Sequence, residues 1–99
     1  MEKIDHIAIQ TTNISKSVDW YKSNFSCEVE HQDSSWALIR FSNISLAFVL
    51  PDQHPSHIAI ERENLENFGT PVLHRDGSES VYINGPSKDI VELIRYPKS

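Results

Sequence analysis

His6-Ile7-Ala8-Ile9 and His57-Ile58-Ala59-Ile60 spell the same four residues, 51 positions apart. One HIAI is ordinary strand sequence. Two copies, each opening on histidine, point to an internal duplication, and a duplication predicts further matches at a related spacing. Val29-Glu30-His31-Gln32-Asp33-Ser34-Ser35 supplies one: it resembles Val72-Leu73-His74-Arg75-Asp76-Gly77-Ser78 at an offset of 43. The second half is therefore eight residues shorter between its first and second matching segments. A looser match sets Ile44-Ser45-Leu46 against Val91-Glu92-Leu93 at an offset of 47, with about four residues added in the turn Asn84-Gly85-Pro86-Ser87-Lys88.

The periodicity around these anchors predicts the elements. Ile4 to Gln10 is rich in β-branched residues and reads as a strand. Ile14, Val18, Tyr21 and Phe25 recur at the spacing of an amphipathic helix, with Asn13 as its N-cap. Strands follow near 27–32, 35–41 and 44–50, so the first half reads strand, helix, three strands. The second half repeats the strands near 57–61, 71–75, 79–84 and 89–95. Its helix absorbs the deletion: Glu63 to Phe68 leaves room for one or two turns before Gly69, Thr70 and Pro71. The class is α+β. The expectation is one domain of two modules, about 1–50 and about 57–99, joined by a linker at 51–56.

Composition narrows the function classes. The 99 residues are 38% hydrophobic and 23% charged, which is globular rather than disordered. The one cysteine, Cys27, excludes an internal disulfide. A net charge of −5 with scattered Lys and Arg argues against a nucleic-acid partner. No apolar run approaches the roughly 20 residues of a membrane span, and the amino terminus carries no signal-peptide core. The expected setting is cytoplasmic, without a membrane partner. Asn13-Ile14-Ser15 and Asn43-Ile44-Ser45 match the glycosylation pattern and, without a secretory signal, read as chance.

Strand alternation then groups the residues that carry chemistry. Ile4, His6 and Ala8 share one face of the first strand, and His57 and Ala59 share one of the fifth. Ile90, Glu92 and Ile94 share one of the last. A glutamate between two isoleucines is costly unless paired, hydrogen-bonded or metal-bound. If the halves pack by pseudo-symmetry, the two histidines approach each other and Glu92 lies on a neighbouring strand. Two imidazoles and a carboxylate suit Fe, Mn, Zn, Ni or Co, with positions left for water or substrate. The competing reading puts Glu92 on a solvated face, with Val91 and Leu93 turned to the core. His31 and His74, beside Asp33 and Asp76, read as turn residues, and His54 as a solvated linker residue.

These segments together resemble the vicinal oxygen chelate superfamily, which includes glyoxalase I, extradiol dioxygenases, methylmalonyl-CoA epimerase, and fosfomycin- and bleomycin-resistance proteins. The resemblance runs from Ile4 to Pro97. It is carried by Ile4-Asp5-His6-Ile7-Ala8-Ile9, Val18-Asp19-Trp20-Tyr21, His57-Ile58-Ala59-Ile60 and Ile90-Val91-Glu92-Leu93-Ile94. It implies two βαβββ modules forming a cup-shaped mixed sheet around one divalent metal, the second module with a shortened helix. It also implies that His6, His57 and Glu92 are the metal ligands. Glyoxalase I-like members add a fourth ligand from the last strand of the first module. The sequence alignment sets Ser45 there, or Leu46 if the register slips by one, and neither is a good ligand. The turn before the last strand also departs from the family's Asp-Pro-x-Gly, reading Asn84-Gly85-Pro86-Ser87 here.

The reading is of a small metalloenzyme whose ion acts as a Lewis acid on an oxygen-chelating small molecule. Glu92 is a plain ligand or, on leaving the metal, a base. Tyr82 either contacts substrate, as the resemblance implies, or packs across strands. Arg40, which shares a face with Leu38 and Trp36, either anchors an anionic substrate or is a surface residue with a packed stem. The alternative is a metal-free ligand-binding or sequestering protein of the bleomycin-resistance type, its cup lined or supported by Trp20, Trp36, Phe48 and Tyr82. The expected assembly is a homodimer, with modules paired within one chain or across two.

Overall fold

Ile14 and Val18 bury one stripe of a helix on the apolar face of a small sheet, and Asn13 sets where that helix starts. In the computed structural model, which describes residues 1–98, the order is β1 (Ile4–Gln10), α1 (Ile14–Asn24), β2 (Glu28–Gln32), β3 (Trp36–Arg40), β4 (Ser45–Val49), β5 (His57–Glu61), β6 (Val72–Leu73), β7 (Glu79–Asn84) and β8 (Ile90–Arg95). The class is α+β, as expected. The chain divides into two compact units, one of His6–Ser56 and one of Met1–Asp5 with the chain from His57 onward.

In the unit His6–Ser56 the strand order is β2-β3-β4-β1. β1 runs parallel to β4, and the other neighbours are antiparallel. Asn13 accepts a hydrogen bond through Oδ1 from the Lys16 amide at 3.0 Å, satisfying one of the open donors of the first turn. Phe25, already extended, closes the helix by donating its amide to the Tyr21 carbonyl at 2.9 Å. Ile14 and Val18 pack on Ala37, Ile39 and Phe48. The opposite face of the strands carries Ala8, Ala47 and Val49, with Leu38 against them.

The other unit has the same topology, in the order β5-β8-β7-β6, with β5 parallel to β8. Its expected short helix is a single turn closed by the Phe68 amide on the Leu65 carbonyl at 2.9 Å. Leu65, 0% exposed, does the covering that α1 does in the first unit, lying on Val81 and Leu93 with Ile60, Ile83 and Val91 around them. The amino terminus is tied here by backbone and side chain. The Glu61 amide donates to the Lys3 carbonyl at 2.9 Å, and the Tyr96 hydroxyl donates to Asp5 Oδ2 at 2.6 Å.

The second repeat segment is visible in hydrogen bonds. Asp33 Oδ1 accepts from the Ser35 amide and hydroxyl at 2.7 and 2.6 Å, and Asp76 Oδ1 accepts from those of Ser78 at 2.9 and 2.6 Å. Each aspartate builds the same side-chain-to-backbone turn. β6 is shorter than its sequence pattern because His74 leaves the ladder to open this turn. Its amide donates to the Ser78 carbonyl at 2.8 Å, and Gly77 takes the left-handed φ of 87° that the turn requires.

Candidate metal centre

β8 lies between β5 and β7, and its register aligns three side chains in one row: Ala59, Glu92 and Tyr82. Cross-strand partners project to the same face. Val91 and Leu93 point to the opposite face, into the core under Leu65. The sequence reading of those two as core residues therefore holds. Glu92 is nonetheless buried as well, at 5% exposure, so the solvated-face alternative for it does not.

Beside Glu92 stands His57, 7% exposed, with Nε2 3.2 Å from Glu92 Oε1. A carboxylate withdrawn from water to this degree needs an ion-pair, hydrogen-bond or metal partner, and an imidazole nitrogen stands at such a distance here. Tyr82 sets its ring edge-on to His57, with centroids 5.1 Å apart and planes at 87°. Burial, and secondarily the negative charge of Glu92, push the Tyr82 phenol well above its ordinary range. Tyr82 thus stays protonated at neutral pH and keeps an O–H to donate.

His74 also reaches this cluster. Its Nε2 is hydrogen-bonded with the Ser80 hydroxyl at 2.7 Å and lies 3.9 Å from Glu92 Oε2. The sequence reading as a turn residue is right for its backbone but missed the direction of its side chain. The signal available was the His31–His74 match, which does not distinguish the two. In the structure His31 pairs with Asp33 at 2.8 Å and stacks on Trp36 at 4.0 Å. The Asp33 carboxyl is held below the usual carboxylate range, chiefly by the Ser35 hydroxyl, then by the Ser35 and Trp36 amides and by His31.

His6 belongs to the other unit, where it is half-buried on β1 with Ser45 as its cross-strand neighbour on β4. The ladders correct one expectation there. Ala59 faces Glu92 across β5 and β8, and the equivalent Ala8 faces Ala47 across β1 and β4. The counterpart of Glu92 is therefore the buried Ala47, not Ser45 or Leu46. The sequence alignment slipped by two residues because strand pairing, not residue similarity, sets the equivalence. In the same way Leu38 is the counterpart of Tyr82. Arg40 is already answered by acidic neighbours, pairing with Glu28 and, at 3.3 Å, with Glu30.

No family model matches the chain, and no curated protein matches it. Solved structures do. A methylmalonyl-CoA epimerase in complex with methylmalonyl-CoA and NH4+ superposes with a TM-score of 0.75 at 17% identity, over 97% of this chain and 95% of the other. A Streptomyces coelicolor methylmalonyl-CoA epimerase variant in complex with 2-nitronate-propionyl-CoA gives 0.74 at 17% identity, over 95% and 94%. A hypothetical protein from Bacillus halodurans gives 0.72 at 18% identity, over 99% and 96%. The chain has the fold of these proteins, which is the vicinal oxygen chelate fold that its sequence resembles.

Proposed function

We propose that the chain is a small metal-dependent enzyme in which His6, His57 and Glu92 hold one divalent ion of the Mn, Fe, Ni, Zn or Co group. The observation that carries this reading is the buried His57–Glu92 pair. A divalent cation there offsets the desolvation of the carboxylate more fully than an imidazole alone does. Each of the three residues offers one donor atom, a ring nitrogen or a carboxylate oxygen. Support for His6 comes from equivalence: it opens the same tetrapeptide as His57, on the strand that stands to β4 as β5 stands to β8. With Ala47 at the counterpart of Glu92, β4 supplies no carboxylate, so the set has three protein ligands.

When bound, such an ion supplies Lewis-acid polarisation of adjacent oxygens on a small substrate. The residues do the rest. Glu92 serves as a ligand, since its Oε1 is turned to His57 and no second carboxylate stands in its row. Tyr82 keeps the His57 ring in place by its edge contact and offers a neutral O–H to a substrate oxygen. Arg40 and Trp36, on the same strand face as Leu38, stay in the reading as substrate-contacting residues, Arg40 for an anionic group, although Arg40 also pairs with Glu28 and Glu30 and Trp36 stacks on His31. The assembly we propose is a homodimer, because a 99-residue chain buries proportionally little surface alone. Light scattering at micromolar concentration tests this.

The decisive test uses untagged protein. Bound metal is measured after purification, and thermal shift is recorded with Mn(II), Zn(II), Ni(II) and Fe(II). The expected result is stoichiometric binding that His6→Ala, His57→Ala and Glu92→Ala each abolish. No bound metal and no shift with any ion sinks the metalloenzyme reading. Methylmalonyl-CoA, the ligand in one of the similar structures, is the first compound to assay.

A further inference from the structure

His74 stands against the buried pair, yet neither the repeat nor the ligand set gives it a task. Three observations define its position. Its backbone is fixed at the start of a hairpin, with the amide on the Ser78 carbonyl at 2.8 Å and its own carbonyl accepting from Gly77 at 3.0 Å. Its Nε2 is bonded at 2.7 Å with the hydroxyl of Ser80, a buried residue, so one end of that hydrogen bond is fixed in the core. The same nitrogen faces Glu92 Oε2 at 3.9 Å, while Oε1 faces His57 Nε2 at 3.2 Å. The two oxygens of one carboxylate are thus each turned to a different imidazole.

We infer that His74 is a positioning residue for Glu92: pinned by Ser80, it occupies the Oε2 side of the carboxylate and keeps Oε1 directed at His57. Ligating carboxylates are commonly oriented by partners of this kind, and losing one weakens metal binding. The first unit supplies an internal control. There the counterpart of Glu92 is Ala47, which gives a histidine nothing to orient, and His31 is turned instead to Asp33 and Trp36. The repeat kept the two histidines in sequence, but His31 is turned to the aspartate of its own turn whereas His74 is turned to Glu92.

This inference rests on the metal reading, so the test separates the two. Co(II) is titrated by calorimetry into the wild type, His74→Ala, His74→Gln and His31→Ala, and its visible absorption is recorded as a report on ligand arrangement. His74→Ala is expected to weaken Co(II) binding by roughly 10–100-fold and to change the visible spectrum. His74→Gln, which keeps a polar group able to bond the Ser80 hydroxyl beside Glu92, is expected to restore much of both. His31→Ala is expected to bind as the wild type does. Wild-type affinity and spectrum in His74→Ala, with or without a lowered Tm, overturn the positioning role and leave the metal reading intact. A wild type that binds no Co(II) overturns both.

Discussion

At the scale of residues, a buried polar pair and its aromatic neighbour gather on one sheet face of the second unit. Glu92 and His57 are buried and paired, and Tyr82 flanks them on the exposed side. The counterparts Ala47 and Leu38 in the other unit are apolar. Tyr82→Phe isolates the hydroxyl, since phenylalanine keeps the ring against His57. The expected outcome is unchanged metal affinity by calorimetry and a kcat roughly 100-fold lower, the lower end of the effect of removing a well-placed proton or hydrogen-bond donor. Unaltered kcat assigns Tyr82 to packing alone. The roles of His6, His57 and Glu92 were open to proposal from the repeat and from strand alternation. That of His74 was not, because alternation says nothing of a residue that has left its strand.

At the scale of elements, periodicity was a good guide and insertions were the weak point. β1, β5 and β7 and the start of α1 fall where their patterns predict. β6 is shorter because the Asp76 turn competes for its backbone groups. The largest departure between the units is the missing helix, for which Leu65 substitutes with one side chain. Leu65→Ala is therefore expected to cost about 2–5 kcal/mol, as large truncations at fully buried sites do. Urea unfolding reads this directly. A loss below ~1 kcal/mol would mean that the Glu63–Phe68 segment collapses onto the sheet without it.

At the scale of the whole molecule, net charge and ion pairs set the response to acid. Arg95 joins Glu66 at 2.7 Å and Glu79 at 3.1 Å, and lowers the Glu66 carboxyl to about 2, first by hydrogen bonding. A carboxyl whose folded pKa lies below its unfolded value stabilises the fold above the unfolded value and loses that contribution as pH falls through the folded one. The window here runs from the ordinary glutamate value of about 4.3 down to about 2. Glu66→Gln is expected to flatten the Tm–pH profile across that window and to leave its shape above pH 6 unchanged. Because the pair is exposed, the difference should also shrink at high salt. No helix among the described residues is long and apolar enough to cross a membrane.

Sequence alone determined the duplication, the strand–helix–strand order, the α+β class and the three residues worth proposing as ligands. The first three follow from local spacing: a period near 3.6 for α1, a period of 2 for the strands, and two identical tetrapeptides that fix the offset; the ligand set follows from strand alternation together with the family resemblance. Tertiary structure alone decided which residues share a cross-strand row. Pairing sets Glu92 beside His57 and opposite Tyr82, gives Ala47 rather than Ser45 as its counterpart, and brings His74 to its second oxygen. The physical reason is that a ladder register is chosen by the burial of an entire strand face, a quantity that no short motif contains.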